Sequence, residues 1–332
     1  MIYKKPIFEF SSVFAPYIND YIDLRESLGA KFRAQSGVLR QFDRYCVKQK
    51  CNTAFLGERL ANGWISLSRG EMDSSRSHRI SVLKCFADYF RSVGGEAPWV
   101  PHPGYTQREN HYLPYIFTED EIKRIFEVAD NLPKPRGNSM FHFVFPAVLK
   151  ILYCCGLRVS EALNLLSKDV NLETGFIHVE HSKFENCRHL PISESLKTTL
   201  RAYACANGKL IGVNASDFFF PNALGEKYSQ RTVYDKFRTV LWQAGIPHRG
   251  RGKGPRVHDL RHTFAVRSLH KNLQAGKDMY VSLPVLASYL GHTKVTTTEK
   301  YLRLTAELFP EFLETADCVC APIIPEVTAY ED

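Results

Sequence analysis

Apolar residues recur at helical steps through the first part of the chain. Phe14, Tyr17, Ile18, Tyr21, Leu24 and Leu28 follow one another three and four positions apart, and Gly29 supplies a stop. Shorter patterns of the same kind surround Val38, Leu39, Phe42 and Tyr45, then Leu60, Trp64 and Ile65, then Ile80, Leu83, Phe86, Tyr89 and Phe90, which closes at Gly94 and Gly95. The pattern predicts four amphipathic helices and hence a small bundle over 1–95. Residues 96–116 are rich in Pro, Gly and polar residues and have no period, which predicts a linker.

A second pattern begins at Phe117. Thr118 and Glu121 have capping-box spacing, with Phe117 and Ile122 placed as a hydrophobic staple. From there the periodicity predicts helices over 118–130, about 140–154 and from 159. A strand region over 170–192 follows, then helices around 193–206, 229–244, 258–272, 282–290 and 304–315. The expected fold is mainly α with a small antiparallel β-hairpin sheet: a helical bundle over 1–95, a mixed α+β domain over 117–303, and a C-terminal helix and acidic tail over 304–332.

Composition narrows the class. The 332 residues, 44% hydrophobic and 23% charged, are ordinary for a globular chain of two domains. No apolar run is long enough to span a bilayer and no signal sequence opens the chain, so no membrane partner is expected and a cytoplasmic location is. Nine Cys without a CxxC pair make neither a disulfide framework nor a zinc site, and Cys154 and Cys155 read as buried thiols in an apolar helix. The net charge of +8 understates the basic surface: the residues after Tyr301 hold one Arg against seven acids, so 1–301 carry 42 basic and 28 acidic groups, a net of +14. Such an excess favours a polyanion, and nucleic acid above all.

The candidate chemistry lies between Arg256 and Tyr301. In RVHDLRHTFAVRSL, His258 and Arg261 stand three apart and share a face if the segment is helical, while Leu260, Phe264, Val266 and Leu269 give it a buried side. Farther on, Gly291 ends a helix in LPVLASYLGHTKVTTTEKYL and leaves His292 at its mouth, with Tyr301 nine residues later. Just upstream, HRGRGKGPR (248–256) carries Arg249, Arg251, Lys253 and Arg256 with no acid, a composition suited to a phosphate-tracking loop.

HxxR, then LGH, then TTxxY resembles the tyrosine recombinases of the phage integrase type. That resemblance implies two further pieces upstream, and both are present. ILYCCGLRVSEALNL (151–165) matches the first arginine motif, with Arg158 after Gly156 and Glu161 three residues on. GFIHVEHSKFENCRHLPI (175–192) puts Lys183 where the family keeps a hairpin lysine. The match covers about residues 115–302.

The resemblance implies a site-specific recombinase that cuts and rejoins DNA through a 3′-phosphotyrosyl intermediate. The bundle resembles the family's core-binding domain, and the implied partners are double-stranded DNA core sites and three further copies of the chain on two sites. Arg158 and Arg261 would clamp the nonbridging oxygens through guanidinium forks, His258 and His292 would hydrogen-bond the phosphate, with His258 the expected base, and Tyr301 would attack. Lys183 resembles the general acid. Glu161 is expected to orient the neighbouring arginine and histidine, and Arg188 and Arg256 have the spacing of phosphate contacts, with a structural role as the equal alternative. No cofactor or metal is expected, because no Asp/Glu or His/Cys set has ligand spacing. A non-cutting DNA-binding relative would be expected to lack one of the six catalytic positions, and a type IB topoisomerase relative would share the chemistry as a monomer without sequence choice. An apolar stripe of Leu304, Leu308, Phe309, Phe312 and Leu313 suggests that the tail docks on a neighbouring subunit, with a core helix packed in cis as the alternative.

Overall fold

The computed structural model describes residues 8–30, 32–66, 70–71, 73–102, 114–134, 140–180, 187–211, 216–247, 254–292 and 296–308. The chain divides into two compact units, Met1–Tyr112 and Leu113–Asp332.

The first unit holds the four expected helices: α1 (Ala15–Ser27), α2 (Arg33–Lys48), α3 (Glu58–Ile65) and α4 (Asp73–Ser92). Phe14, Phe42, Phe86 and Phe90, which set the sequence period, are fully buried, and Phe14 lies 5.5 Å from the Phe42 ring and 5.6 Å from Phe90. Two buried charges are answered locally, as burial demands. The Asp43 carboxylate accepts the Ser11 and Ser12 backbone N–H groups at 3.0 and 2.9 Å, which fixes the approach to α1. Arg79 lies 4.8 Å over the Trp64 ring and is held by Glu71 at 2.6 and 2.7 Å. The expected linker starts too early. Ala97 and Trp99 are buried in the bundle core, Leu56 N–H donates to Glu96 O at 2.9 Å, and the Trp99 indole donates to Asn62 at 3.2 Å. A tryptophan among prolines has enough apolar area to dock where the period is silent.

The second unit begins with the capping box as expected. Thr118 Oγ1 accepts from Glu121 N at 3.2 Å and Glu121 Oε2 accepts from Thr118 N at 2.9 Å, starting α5 (Glu119–Asp130) with Phe117 and Ile122 buried. Helix α6 (Phe141–Cys155) is apolar nearly all round and packs against α5, α8 (Glu194–Ile211) and α10 (Asp259–Gln274), the arrangement expected of a central helix. Of its two thiols only Cys155 is buried. Cys154 is half-buried. The short α7 (Val159–Asn164) leads to a three-stranded antiparallel sheet, β1 (Val170–Asn171), β2 (Phe176–Val179) and β3 (Arg188–Pro191), in which Ile177 and Leu190 pair across the buried face. Helix α9 (Gln230–Gln243) completes the main core, with Val233, Phe237 and Val240 inward.

Helices α10, α11 (Met279–Leu290) and α12 (Thr296–Leu308) build a smaller core of their own. The last helix starts well before the expected 304 and carries Tyr301 inside it, so a boundary between 303 and 304 falls within one helix. Its threonines do not make an apolar period, which hid its start. Leu304, expected to seek a partner, is 6% exposed and packs in cis against the core of α10 and α11. Phe309, Phe312 and Leu313 lie outside the described residues, as does the acidic tail.

Two of these helices stop on a left-handed glycine, Gly156 at φ 58° and Gly291 at φ 68°. At Gly156 the surroundings also exclude a side chain, because a Cβ would come within 2.6 Å of Phe264 and 3.0 Å of Leu290. Gly156→Ala therefore adds overpacking to left-handed strain and is expected to destabilise by about 1–3 kcal/mol. A denaturant titration measures it, and a loss under about 0.5 kcal/mol would show that the packing around Gly156 yields freely.

Candidate active site

The two glycine-ended helices meet at one guanidinium. Arg261, on the first turn of α10 and 1% exposed, donates from Nη1 to Gly156 O and from Nη2 to Leu290 O, each at 2.7 Å. Those carbonyls close the C-terminal ends of α6 and α11, where helix dipoles concentrate negative potential. Arg158 sits two residues past Gly156 and donates from Nη2 to Gly291 O at 3.2 Å. The glycine turns thus place both motif arginines side by side.

Glu161 fixes Arg158 from behind. Its Oε2 accepts the Arg158 N–H at 2.9 Å at the start of α7, its Oε1 pairs with Arg158 Nη1 at 2.6 Å, and Arg188 Nη2 meets Oε2 at 2.7 Å. The expectation that Glu161 orients the arginine fits this geometry. Arg188, expected at DNA phosphate, is turned inward on the carboxylate with a side chain only 9% exposed, because β3 runs behind α7. Burial alone would raise the Glu161 carboxyl, but Arg188 and then the amide and guanidinium of Arg158 hold it below its ordinary range.

Tyr301 lies beside this pair, 1% exposed. Its hydroxyl is 2.9 Å from Nδ1 of His262, a residue that sequence reasoning missed. The expected base, His258, stands just before α10, more exposed than His262, with the two rings edge-on at 4.8 Å. The signal was available: His262 is four residues from His258, the spacing that stacks side chains on one helix face. His292 follows the Gly291 turn, and its Nδ1 shares a hydrogen with buried Thr298 Oγ1 at 2.8 Å. Its ring lies nearly parallel to Tyr301 at 6.2 Å. Thr298, also missed, ties the turn to α12, while Thr305 Oγ1 donates to Tyr301 O at 2.7 Å. Lys300 Nζ is 5.3 Å from the Tyr301 ring centroid.

Arg158, Arg261, His258, His292 and Tyr301 are therefore brought into one site. Arg256 is exposed on its approach, with its backbone N–H donating to Asp259 at 2.7 Å. Lys183, Arg249, Arg251 and Lys253 lie outside the described residues. Among the described residues, no group of three or more His, Cys, Asp or Glu side chains could hold a metal ion, and no helix is long and apolar enough to cross a membrane.

The positive charge of the site keeps its histidines neutral. Burial, then Arg261, Lys300 and Arg158, hold His258 at about 4; burial, then His258, Lys300 and Arg261, hold His262 at about 3; and burial with Arg261 and Arg158 holds His292 at about 3. For Tyr301, burial outweighs Arg261 and Arg158 and raises the hydroxyl above its ordinary value, so the resting phenol is protonated. An unfolded histidine titrates near 6.5, so below that pH the unfolded chain takes up protons that the fold refuses. The stability tied to these groups is complete above about pH 6.5 and is lost as pH falls toward the folded values. The unfolding midpoint of the isolated protein should drop from about pH 7 to about pH 5, and His292→Asn should flatten that drop. An identical slope in the variant would contradict a neutral His292.

Several known proteins resemble this chain over much of its length. The phage integrase family profile matches residues 116–307. A protein of Sinorhizobium fredii described as an integrase/recombinase is 27% identical over 303 residues, covering 90% of this chain and 96% of its own. The tyrosine recombinase XerA of Pyrococcus furiosus is 30% identical over 241 residues, covering 71% and 73%. Among solved structures, the XerH site-specific recombinase bound to palindromic difH in a post-cleavage complex has a TM-score of 0.64 at 21% identity, covering 85% of this chain and 78% of that one, a likeness of fold. With its family profile spanning the site just described, the chain belongs to the phage integrase family and is a site-specific DNA recombinase of the tyrosine type.

Proposed function

We propose that Tyr301 is the nucleophile of this recombinase, forming a 3′-phosphotyrosyl link, and that Arg158 and Arg261 clamp the scissile phosphate. The observation that carries the reading is the meeting of both guanidiniums with the buried Tyr301 hydroxyl at the two glycine-ended helix termini. Guanidinium forks match the nonbridging oxygens and stabilise the charge that grows in the pentacoordinate transition state. His258 and His292 add hydrogen bonds to the phosphate, Glu161 and Arg188 hold Arg158 in place, and Lys183 protonates the departing 5′ oxygen. Arg249, Arg251, Lys253 and Arg256 track the backbone, and the bundle before Tyr112 grips the same DNA. Four copies act on two core sites, in the cytoplasm, where they integrate, excise or transpose a mobile element.

Tyr301→Phe is expected to bind a duplex that the protein has selected from a random-sequence pool, and to form no covalent complex on a denaturing gel. A covalent band from the variant would move the nucleophile to another residue. Wild-type cleavage should survive EDTA. A loss restored by magnesium would overturn a metal-independent mechanism.

Lys183 has its own test. A leaving alkoxide needs a proton, whereas a leaving thiolate, with a conjugate acid near pKa 8.5, hardly does. Lys183→Ala should be severely impaired on ordinary DNA and largely recovered where sulfur replaces the bridging 5′ oxygen. Arg158→Ala should show no recovery, since it serves the nonbridging oxygens. Equal impairment of Lys183→Ala on both substrates would make Lys183 a phosphate contact.

A further inference from the structure

Given Tyr301 as nucleophile, the reading on which this inference rests, we propose that His262 Nδ1 takes the phenolic proton during strand cleavage and returns it during rejoining. The contact is direct: Nδ1 lies 2.9 Å from the hydroxyl, within the reach required of a proton acceptor. Both partners are buried, at 4% and 1% exposure, so bulk water does not compete for the proton. The other two imidazoles are worse placed. The Tyr301 hydroxyl contact is made by His262, His258 is the more exposed residue one helical turn earlier, and His292 has its Nδ1 engaged with Thr298.

With the imidazole proton on Nε2, the Nδ1 lone pair accepts the phenolic hydrogen. As the bond from the Tyr301 oxygen to phosphorus forms, the O–H electron pair stays on oxygen and the proton passes to Nδ1. The bond from phosphorus to the 5′ oxygen breaks, and that oxygen takes a proton from the acid assigned to Lys183. Rejoining reverses each transfer: the 5′ hydroxyl attacks phosphorus and gives its proton to that amine, while the departing phenolate recovers its own from Nδ1.

The charged and titratable groups facing His262 come from three places. They are His258 and Arg261 on or beside α10, His292 after α11, and Lys300 with Tyr301 on α12. In the resting site they and burial keep the imidazole neutral, so its lone pair is available. A bound phosphate brings the opposite charge, which favours protonation of His262 at the moment of attack.

The test uses the full-length protein on the pool-selected duplex and measures the rate of covalent attachment. His262→Asn keeps a hydrogen-bonding atom near the Nδ1 position but cannot take a proton, and His262→Ala keeps neither. Both should lose about a hundredfold or more. The His262→Asn rate should climb with pH by about tenfold per unit below the phenol pKa, as the tyrosine ionises unaided. Replacing Tyr301 by a difluorotyrosine, whose hydroxyl is more acidic, should restore most of the His262→Asn rate. A wild-type rate for His262→Asn, or a deficit that neither pH nor the fluorinated tyrosine relieves, would reduce His262 to a packing or positioning role and overturn the proposal. If wild-type protein forms no covalent complex with the duplex, the strand-cleavage reading fails, and the proposal with it. A normal wild type with unaffected His262 variants sinks the proposal alone.

Discussion

Everything in the site hangs from the Arg261 guanidinium. A buried arginine is stable only when carbonyl or carboxylate oxygens replace its water, and here the replacements are the terminal carbonyl regions of α6 and α11. That single requirement sets the positions of three helices relative to one another. It also explains the two left-handed glycines. A helix that ran on past Cys155 or Leu290 would turn those carbonyls into its own hydrogen bonds, and a side chain at Gly156 would meet Phe264 and Leu290. The backbone geometry at 156 and 291 is therefore a condition for the arginine pair.

Arg261 also makes the register of the remaining site residues follow from helix geometry. Once it points toward α6 and α11, the next position on α10 carries His262 to Tyr301, and His258, one turn earlier on the same face as His262, lies at the more exposed start of the helix. Tyr301 is held on the other side by its own helix, where Thr298 reaches back to His292 and Thr305 bonds the tyrosine carbonyl. The small core beneath, with Val266, Leu269, Leu290 and Leu304, keeps α12 against α10. Tyr301 and Arg261, the proposed nucleophile and one half of the proposed phosphate clamp, are thus supported by one cluster of α10, α11 and α12.

Where apolar period governs packing, the sequence was readable. The bundle helices, the capping box at Thr118 and the buried side of α10 all follow from spacing alone, and the motif order of Arg158, His258, Arg261, His292 and Tyr301 names residues that the fold gathers in one place. Reading failed where another force decides. Trp99 docks by sheer area in a segment without period, and α12 starts among threonines whose hydroxyls serve contacts specific to the fold. For Arg188 the sequence left phosphate contact and structural role open, because the buried Glu161 with which it pairs is a fact of three dimensions. His262 was overlooked because attention to a three-residue step hid the equally good step of four.

The electrostatics of the empty site form one argument with its chemistry. Arg158, Arg188 and Arg261 crowd around a single carboxylate, Glu161, with Lys300 close by, an arrangement in which like charges repel. Two features reduce the repulsion: all three imidazoles stay neutral, and helix C-terminal carbonyls absorb part of the guanidinium field. The repulsion shows in Arg261 itself, whose guanidinium is drawn down to about 10 by burial and then by Arg158. An anion placed between the arginines removes that penalty, so the site favours a phosphate most strongly at the point where negative charge accumulates on its oxygens. The same anion makes the neighbouring imidazoles better bases. If Arg158 and Arg261 hold the phosphate and His262 takes the proton as proposed, phosphate binding and phenol activation are two consequences of one unbalanced charge.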